Sequence, residues 1–424
     1  MRANASFRCM APTHIQPVGP QSIYQISKLQ TTRTTTNPWA KALVPVSTTH
    51  HPPAASRYAS TLQNPPPSPS PQPRQTNPAS QTLTIPNPHS ARTLSFAEYG
   101  PQTGFPLLYF HGYPSSRLEA RALTPLAHRL HLRIIAPDRP GFGRSTYAPS
   151  RRIVDWPADV RALADHLGLA RFAVLGGSGG GPYALACASE GGGGVLGGDG
   201  RLVGVGVLAG AGPWWGAGDV ADAGISMPRR VLAEVARRWP AGLEGVSDFL
   251  VSRGRWVVGT GVVERWLDRW LDAVEGVKGR PGEVERGQEG KTTGLAATNN
   301  NDGDDDNKPS NDKERREQFL QLIFEAFAQG SAGFVQETQL LTADDWGFRF
   351  EDVRFRKVLM WHGTADANSP IGMIRYMAER IPHCVLREFE GVDHYSLLAG
   401  EDGAGRLEAI LRELVPAEMV RGVN

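Results

Sequence analysis

The stretch FAVLGGSGGGPYALA, Phe172 to Ala186, decides how this chain is read. An apolar run of strand length ends in small residues around Ser178, and a helix-forming segment follows. Glycine is abundant, 48 of 424 residues, so a G-x-S-x-G match arises by chance in roughly one such chain in three. The flanks therefore have to carry the reading. Phe172–Leu175 reads as a buried strand and Gly179–Glu190 as a helix, which puts Ser178 on the joint in a strained turn. Gly176 and Gly180 stand where strand and helix come closest, and Pro182 falls in the helix's first turn, where its missing N–H does no harm. The free N–H groups at that helix start favour negative charge beside Ser178.

The same texture continues on both sides. RTLSFAEYG, PLLYFHG, LRIIAPD, RLVGVGVLAGAG, KVLMWHG and CVLREFEG read as strands. Between them, SRLEARALTPLAHRL (with Ser115 or Ser116 as N-cap), IVDWPADVRALADHLGL (closed by Gly168), PIGMIRYMAERI and AGRLEAILREL read as amphipathic helices. Short, fully apolar strands alternating with helices predict an α/β protein: a mostly parallel central sheet with helices on both faces. Residues 92–211 and 346–424 are the two parts of this core, and residues 212–345 form an inserted helical cap. In the cap, Val262, Val263, Trp266, Leu267, Trp270, Leu271 and Val274 share one helical stripe. FLQLIFEAFAQG makes another apolar helix. The polar segment near residues 276–315 is expected to be a disordered loop. Its acidic run, Asp302 with Asp304–Asp306, lacks the ordered ligand spacing of a calcium loop.

Residues 1–91 differ from the rest. No Asp or Glu occurs before Glu98, while arginine and lysine recur among Ser, Thr and Pro. An acid-free, Arg- and Ser-rich leader fits a mitochondrial transit peptide, with SRYAST (Ser56–Thr61) as a cleavage context; a cytoplasmic tail is the alternative. NPPPSPSPQPRQTNP then reads as an extended, disordered linker. The formal net charge of +2 makes no case for nucleic acid as partner. Cys9, Cys187 and Cys384 lack metal-ligand spacing, and no apolar run reaches the roughly 18 residues of a membrane span. No metal and no cofactor are expected.

A serine hydroxyl is a poor nucleophile until a histidine takes its proton and an acid orients that histidine. His394, in EGVDHYS after the last strand, is the best placed of the 11 histidines. The acid is expected from the loop after KVLMWHG, where TADANSP presents Asp366. Asp393 adjoins His394, but chain neighbours rarely face each other correctly. Asp138, in the turn APDRPGFGRS, is expected to be structural. The loop after PLLYF offers the backbone N–H of Tyr113 as an oxyanion donor beside that of Gly179.

With HGYP, DRPGFGRS, GGSGGGPYALA, WHGTADANSP and GVDH in this order, the chain resembles the α/β-hydrolase superfamily, in its branch with a helical cap. The resemblance covers about Leu94 to Val415 and implies the α/β-hydrolase fold and a triad of Ser178, Asp366 and His394. Epoxide hydrolases and dehalogenases of this superfamily use an aspartate nucleophile; the serine here argues for acyl transfer to water. Gly177 stands where relatives often carry a larger residue, which implies a roomier pocket. The expected function is hydrolysis of a small-molecule carboxylic ester or thioester through an acyl-enzyme. Trp214, Trp215, Trp266 and Trp270 are candidates to line an apolar substrate pocket. A C–C bond hydrolase, an aminopeptidase, a cofactor-free haloperoxidase and a non-catalytic binding protein on the same fold are the alternatives.

Overall fold

The computed structural model describes residues 80–86, 91–190, 196, 198–214, 224–258, parts of 260–269, 308–397 and 403–416. Eight strands form one sheet: β1 (Gln81–Ile85), β2 (Arg92–Tyr99), β3 (Phe105–Phe110), β4 (Leu132–Pro137), β5 (Phe172–Gly177), β6 (Leu202–Leu208), β7 (Val358–Gly363) and β8 (Cys384–Phe389). Their spatial order is β1-β2-β4-β3-β5-β6-β7-β8. The β1–β2 and β2–β4 pairs are antiparallel, and every later pair is parallel. β5 is thus an interior strand, and Ser178 follows its C-terminal end.

Alternation along the strands sends side chains to two cores. Phe96, Leu108, Phe110 and Val174 join one, with Trp156, Val160 and Leu163 of α2 (Trp156–His166), Tyr183 and Leu185 of α3 (Gly181–Ala188), and Ile374 and Met377 of α8 (Ile371–Arg380). Leu107, Tyr109, Leu175 and Trp361 join the other, with Leu126 of α1 (Thr124–Arg129) and Leu407, Ile410 and Leu411 of α9 (Gly403–Leu414). Burial on both faces is why these strands read as continuous apolar runs. SRLEARALTPLAHRL is two helices in series: a 3₁₀ segment (Arg117–Leu123) capped by Ser116, then α1, whose start carries Pro125.

Two boundaries differ from the sequence reading. Residues 1–91 were expected to be a disordered leader, yet β1 lies inside that span and pairs with β2 from Gln81↔Phe96 to Ile85↔Arg92. QTLTI alternates, Ile85 is buried in the core, and Leu83 packs against it. Five residues beside a proline gave too short a pattern to stand out, and only pairing with β2 makes it a strand. In the insertion, α6 (Lys308–Glu325) begins within the polar stretch read as loop. Its pairs Lys313–Glu317 and Arg316–Glu264 show what the charged run does there.

The insertion further comprises α4 (Met227–Arg238), α5 (Pro240–Val258) and α7 (Ala332–Leu341). α4 and α5 pack against α7. Trp239, Phe249, Leu250 and Trp256 are largely exposed. No helix among the described residues is long and apolar enough to cross a membrane.

Candidate active site

Ser178 has φ of 49°, in the left-handed region that a residue with a Cβ seldom enters. The contacts that enforce it come from strand and helix meeting at the turn. A Cβ on Gly176 would stand 2.3 Å from the Gly180 carbonyl oxygen, and one on Gly180 would stand 2.1 Å from that of Phe110. Only glycine at both positions lets β5 pass into α3 this tightly. From the other side, the Ala211 N–H donates to the Ser178 carbonyl at 2.9 Å.

The loops after β7 and β8 complete the arrangement. His394 Nε2 lies 3.0 Å from Ser178 Oγ, and His394 Nδ1 lies 2.7 Å from Asp366 Oδ2. The other carboxylate oxygen of Asp366 accepts the N–H groups of Asn368 and Ser369 at 2.7 and 2.8 Å. With Nδ1 donating to the carboxylate, Nε2 is the nitrogen free to accept the serine proton. Burial alone would raise the Asp366 carboxyl; the His394 hydrogen bond and charge, with the Ser369 N–H, outweigh it and hold the pKa below its ordinary value. Asp393 turns away, its carboxylate accepting the Tyr395 and Ser396 N–H groups. Asp138 is buried and ion-paired to Arg117, and accepts from Ser95 and Arg144 as the anchor of its turn.

Tyr113 and Gly179 are neighbours across the turn: a Cβ on Gly179 would meet Tyr113 Cβ at 2.7 Å and Tyr113 N at 3.4 Å. Beneath them Glu119 accepts the Gly112 N–H at 3.0 Å and the Tyr109 hydroxyl at 2.6 Å. That hydroxyl corrects the expectation for Gly177. A Cβ there would lie 2.4 Å from Tyr109 Oη, so the space is filled from β3 and is not part of a pocket.

Sequence reasoning missed the grip of α7 on this loop. The Tyr113 hydroxyl bonds to the Phe334 carbonyl at 3.0 Å and to Thr338 Oγ1, and its ring stacks on Phe334 at 5.4 Å. Arg139, fully buried, donates to the carbonyls of His111 and Gly112 and is paired through Nε with Glu337 of α7 at 2.9 Å. The second Glu337 oxygen takes Arg151 and the Tyr183 hydroxyl. Burial opposes the Glu337 charge, but the two guanidiniums overcome it and lower its pKa. His362 was also missed: its Nε2 donates to the Ser369 carbonyl at 2.7 Å and stands 3.3 Å from Asp366 Oδ2. A histidine ending a strand gave no sign of this, since the partners lie on the following loop.

A family model described as the alpha/beta hydrolase fold matches residues 106–195, β3 through the helix after Ser178. Over those residues the chain is similar to the α/β-hydrolase fold family. It is similar to a haloalkane dehalogenase of Psychrobacter cryohalolentis, 33% identical over 101 residues, which are 22% of this chain and 32% of that one. It is also similar to a proline iminopeptidase of Xanthomonas citri, 36% identical over 107 residues, 23% of this chain and 32% of that one. The match thus spans about a third of each relative's own length. Among solved structures, a bromoperoxidase from Bacillus anthracis aligns with a TM-score of 0.47 at 15% identity, over 79% of this chain and 99% of that one. A thermophilic esterase from Thermogutta terrifontis aligns with a TM-score of 0.46 at 20% identity, over 80% and 100%.

Beside the candidate site a cleft of about 480 Å³ opens on the His394 side, bounded by Ala365, Asn368, His394 and Tyr395. Trp214 is half-buried and packs against Ile225 and Met373. Trp215, Trp266 and Trp270 lie outside the residues whose side chains are described. Of the four tryptophans expected to line an apolar substrate pocket, Trp214 is the one among the described residues.

Proposed function

We propose that this chain is a serine hydrolase that cleaves a small-molecule carboxylic ester or thioester through an acyl-enzyme. The observation that carries the reading is the relay of 3.0 Å from Ser178 Oγ to His394 Nε2 and 2.7 Å from His394 Nδ1 to Asp366 Oδ2. In the proposed reaction Ser178 Oγ attacks the acyl carbon while His394 Nε2 takes its proton. Asp366 holds the imidazole in the required tautomer and stabilises its charged form. The Tyr113 and Gly179 N–H groups face the oxyanion, and the start of α3 adds its positive end. His394 then protonates the departing alcohol or thiol. A water gives up its proton to His394, attacks the acyl-enzyme, and releases the acid with Ser178 restored.

A fluorophosphonate probe tests this directly. The wild type is expected to label at Ser178 and to hydrolyse 4-nitrophenyl butyrate, and Ser178→Ala to do neither while keeping its thermal transition. Full activity in Ser178→Ala overturns the reading. Because one relative is named a proline iminopeptidase, a prolyl amide belongs beside the esters, and faster cleavage of the amide would replace the ester assignment with a peptidase.

The acid-free leader supports import into mitochondria as the route of this enzyme. Residues 1–79 fused to a fluorescent reporter are expected to carry it there, and a cytosolic reporter would overturn that proposal.

A further inference from the structure

Arg229 sits in the first turn of α4, half-buried, and its Nη1 is buried with no hydrogen-bond acceptor among the described residues. This is an unfavourable place for a cation. The helix N-terminus repels positive charge, and that first turn holds no acidic residue to compensate. A buried donor on a charged group is costly to leave unmade. The Arg229 guanidinium carbon lies over the Trp214 ring, 5.8 Å from the centre.

The surroundings place this guanidinium at the site. On one side Trp214 and Ile225 pack on Met373 of α8, the helix that follows the Asp366 loop. On the other side α4 packs against α7, tied by a bond from Gln339 to the Ala236 carbonyl, and α7 holds Tyr113 through Phe334 and Thr338. The Asp366 loop and the Tyr113 loop both flank Ser178, so the segment from Trp214 into α4 is connected to both sides of the nucleophile. Arg229 is within electrostatic range of Asp366, Tyr113 and Tyr395 together. Of these, Asp366 already has its oxygens occupied by His394, Asn368 and Ser369. Burial pulls the Arg229 pKa below its ordinary value, against the opposing charge of Asp366.

We propose that Arg229 binds a carboxylate on the substrate, making the preferred substrates half-esters or half-thioesters that carry a free carboxylate beside an apolar stem. A planar guanidinium with a free Nη matches a carboxylate, and Trp214 offers the stem a flat apolar face. One fixed positive charge suits one negative charge. The inference rests on the acyl-transfer reading for its catalytic consequence, but the binding site itself does not.

The test compares matched esters. Mono-4-nitrophenyl succinate is set against 4-nitrophenyl butyrate for a carboxylate on the acyl part, and 4-carboxyphenyl butyrate against phenyl butyrate for one on the leaving group. In the wild type one charged member is expected to exceed its neutral partner in kcat/KM by about ten- to a hundredfold, the range for a charge-assisted hydrogen bond. Arg229→Met is expected to abolish that ratio, and Arg229→Lys to restore part of it. A packing role alone would lower both members equally. Ratios near one in the wild type, or unchanged in Arg229→Met, overturn the proposal. Calorimetric titration with monomethyl succinate and dimethyl succinate separates it from the hydrolase reading. Tighter binding of the monoester, lost in Arg229→Met, supports the site even if no ester is turned over, and equal binding of the two sinks it.

Discussion

Asp366 stands behind His394 in the proposed relay. Both its oxygens are engaged, one by His394 and the other by two backbone N–H groups, so Asp366→Asn would keep the loop in place but present an amide to His394 Nδ1. The imidazole then favours the tautomer with its proton on Nε2, where it cannot accept from Ser178. Turnover of 4-nitrophenyl butyrate is expected to fall by about 10⁴-fold with the thermal transition little changed. A loss under tenfold would remove Asp366 from the role given to it. Gly177 offers a second test. Gly177→Ala puts a methyl 2.4 Å from Tyr109 Oη, in a space already packed, and is expected to destabilise by about 1–3 kcal/mol. Because the clash is with one hydroxyl, adding Tyr109→Phe should recover part of the loss in a denaturation cycle. Additive losses would place the strain elsewhere.

Among the elements, α7 holds the proposed oxyanion loop from two sides, through the Tyr113 side chain and through Glu337, Arg139 and the carbonyls of His111 and Gly112. Tyr113→Phe removes the hydroxyl bonds to α7 while leaving the Tyr113 N–H in the chain. A loop held less firmly misplaces that donor, and kcat is expected to drop about tenfold with KM nearly unchanged. An unchanged kcat would mean that the loop is fixed by Arg139 alone. His111 reports on the same region through pH. Its Nδ1 donates to the Gly112 carbonyl at 2.8 Å and its Nε2 accepts the Arg139 N–H at 3.2 Å, an arrangement open only to the neutral ring. Burial first, and then the charge of Arg139, hold its pKa well below 6.5. Unfolded, this histidine binds a proton below about pH 6.5; folded, it does not. Its contribution is therefore complete above that pH and is lost on acidification, by up to about 1.4 kcal/mol per pH unit. Denaturation midpoints from pH 7.0 to 5.5 should fall more steeply in the wild type than in His111→Gln, and parallel slopes would assign the acid sensitivity to other groups.

The molecule as a whole makes a demand on its N-terminal side that composition hides. β1 covers the edge of β2, and Ser80 accepts a bond from Arg117, which also pairs with Asp138 and with Glu325 of α6. A chain beginning at residue 80 is expected to keep the transition temperature and activity of the full chain. A chain beginning at residue 87 loses the edge strand and the buried Ile85, and is expected to be less stable by at least about 2 kcal/mol. Equal transition temperatures for the two would show that β1 adds nothing to the core.

What could be read from the chain alone, and what could not, divides along sequence distance. Strand and helix identity around Ser178 was legible because both cores bury contiguous apolar runs, and Gly176, Gly180 and Pro182 mark a turn whose constraints are local. Ser178, Asp366 and His394 could be nominated because strand ends of a parallel sheet share one edge, which their order along the chain already implied. β1 was missed because five alternating residues are a strand only against a partner. The Tyr109 hydroxyl over Gly177, the clasp of α7 on Tyr113 and Arg139, the support of Asp366 by His362 and the stranded charge of Arg229 leave no periodic trace. Each depends on side chains from elements far apart in the chain meeting at distances that only the packed tertiary structure sets.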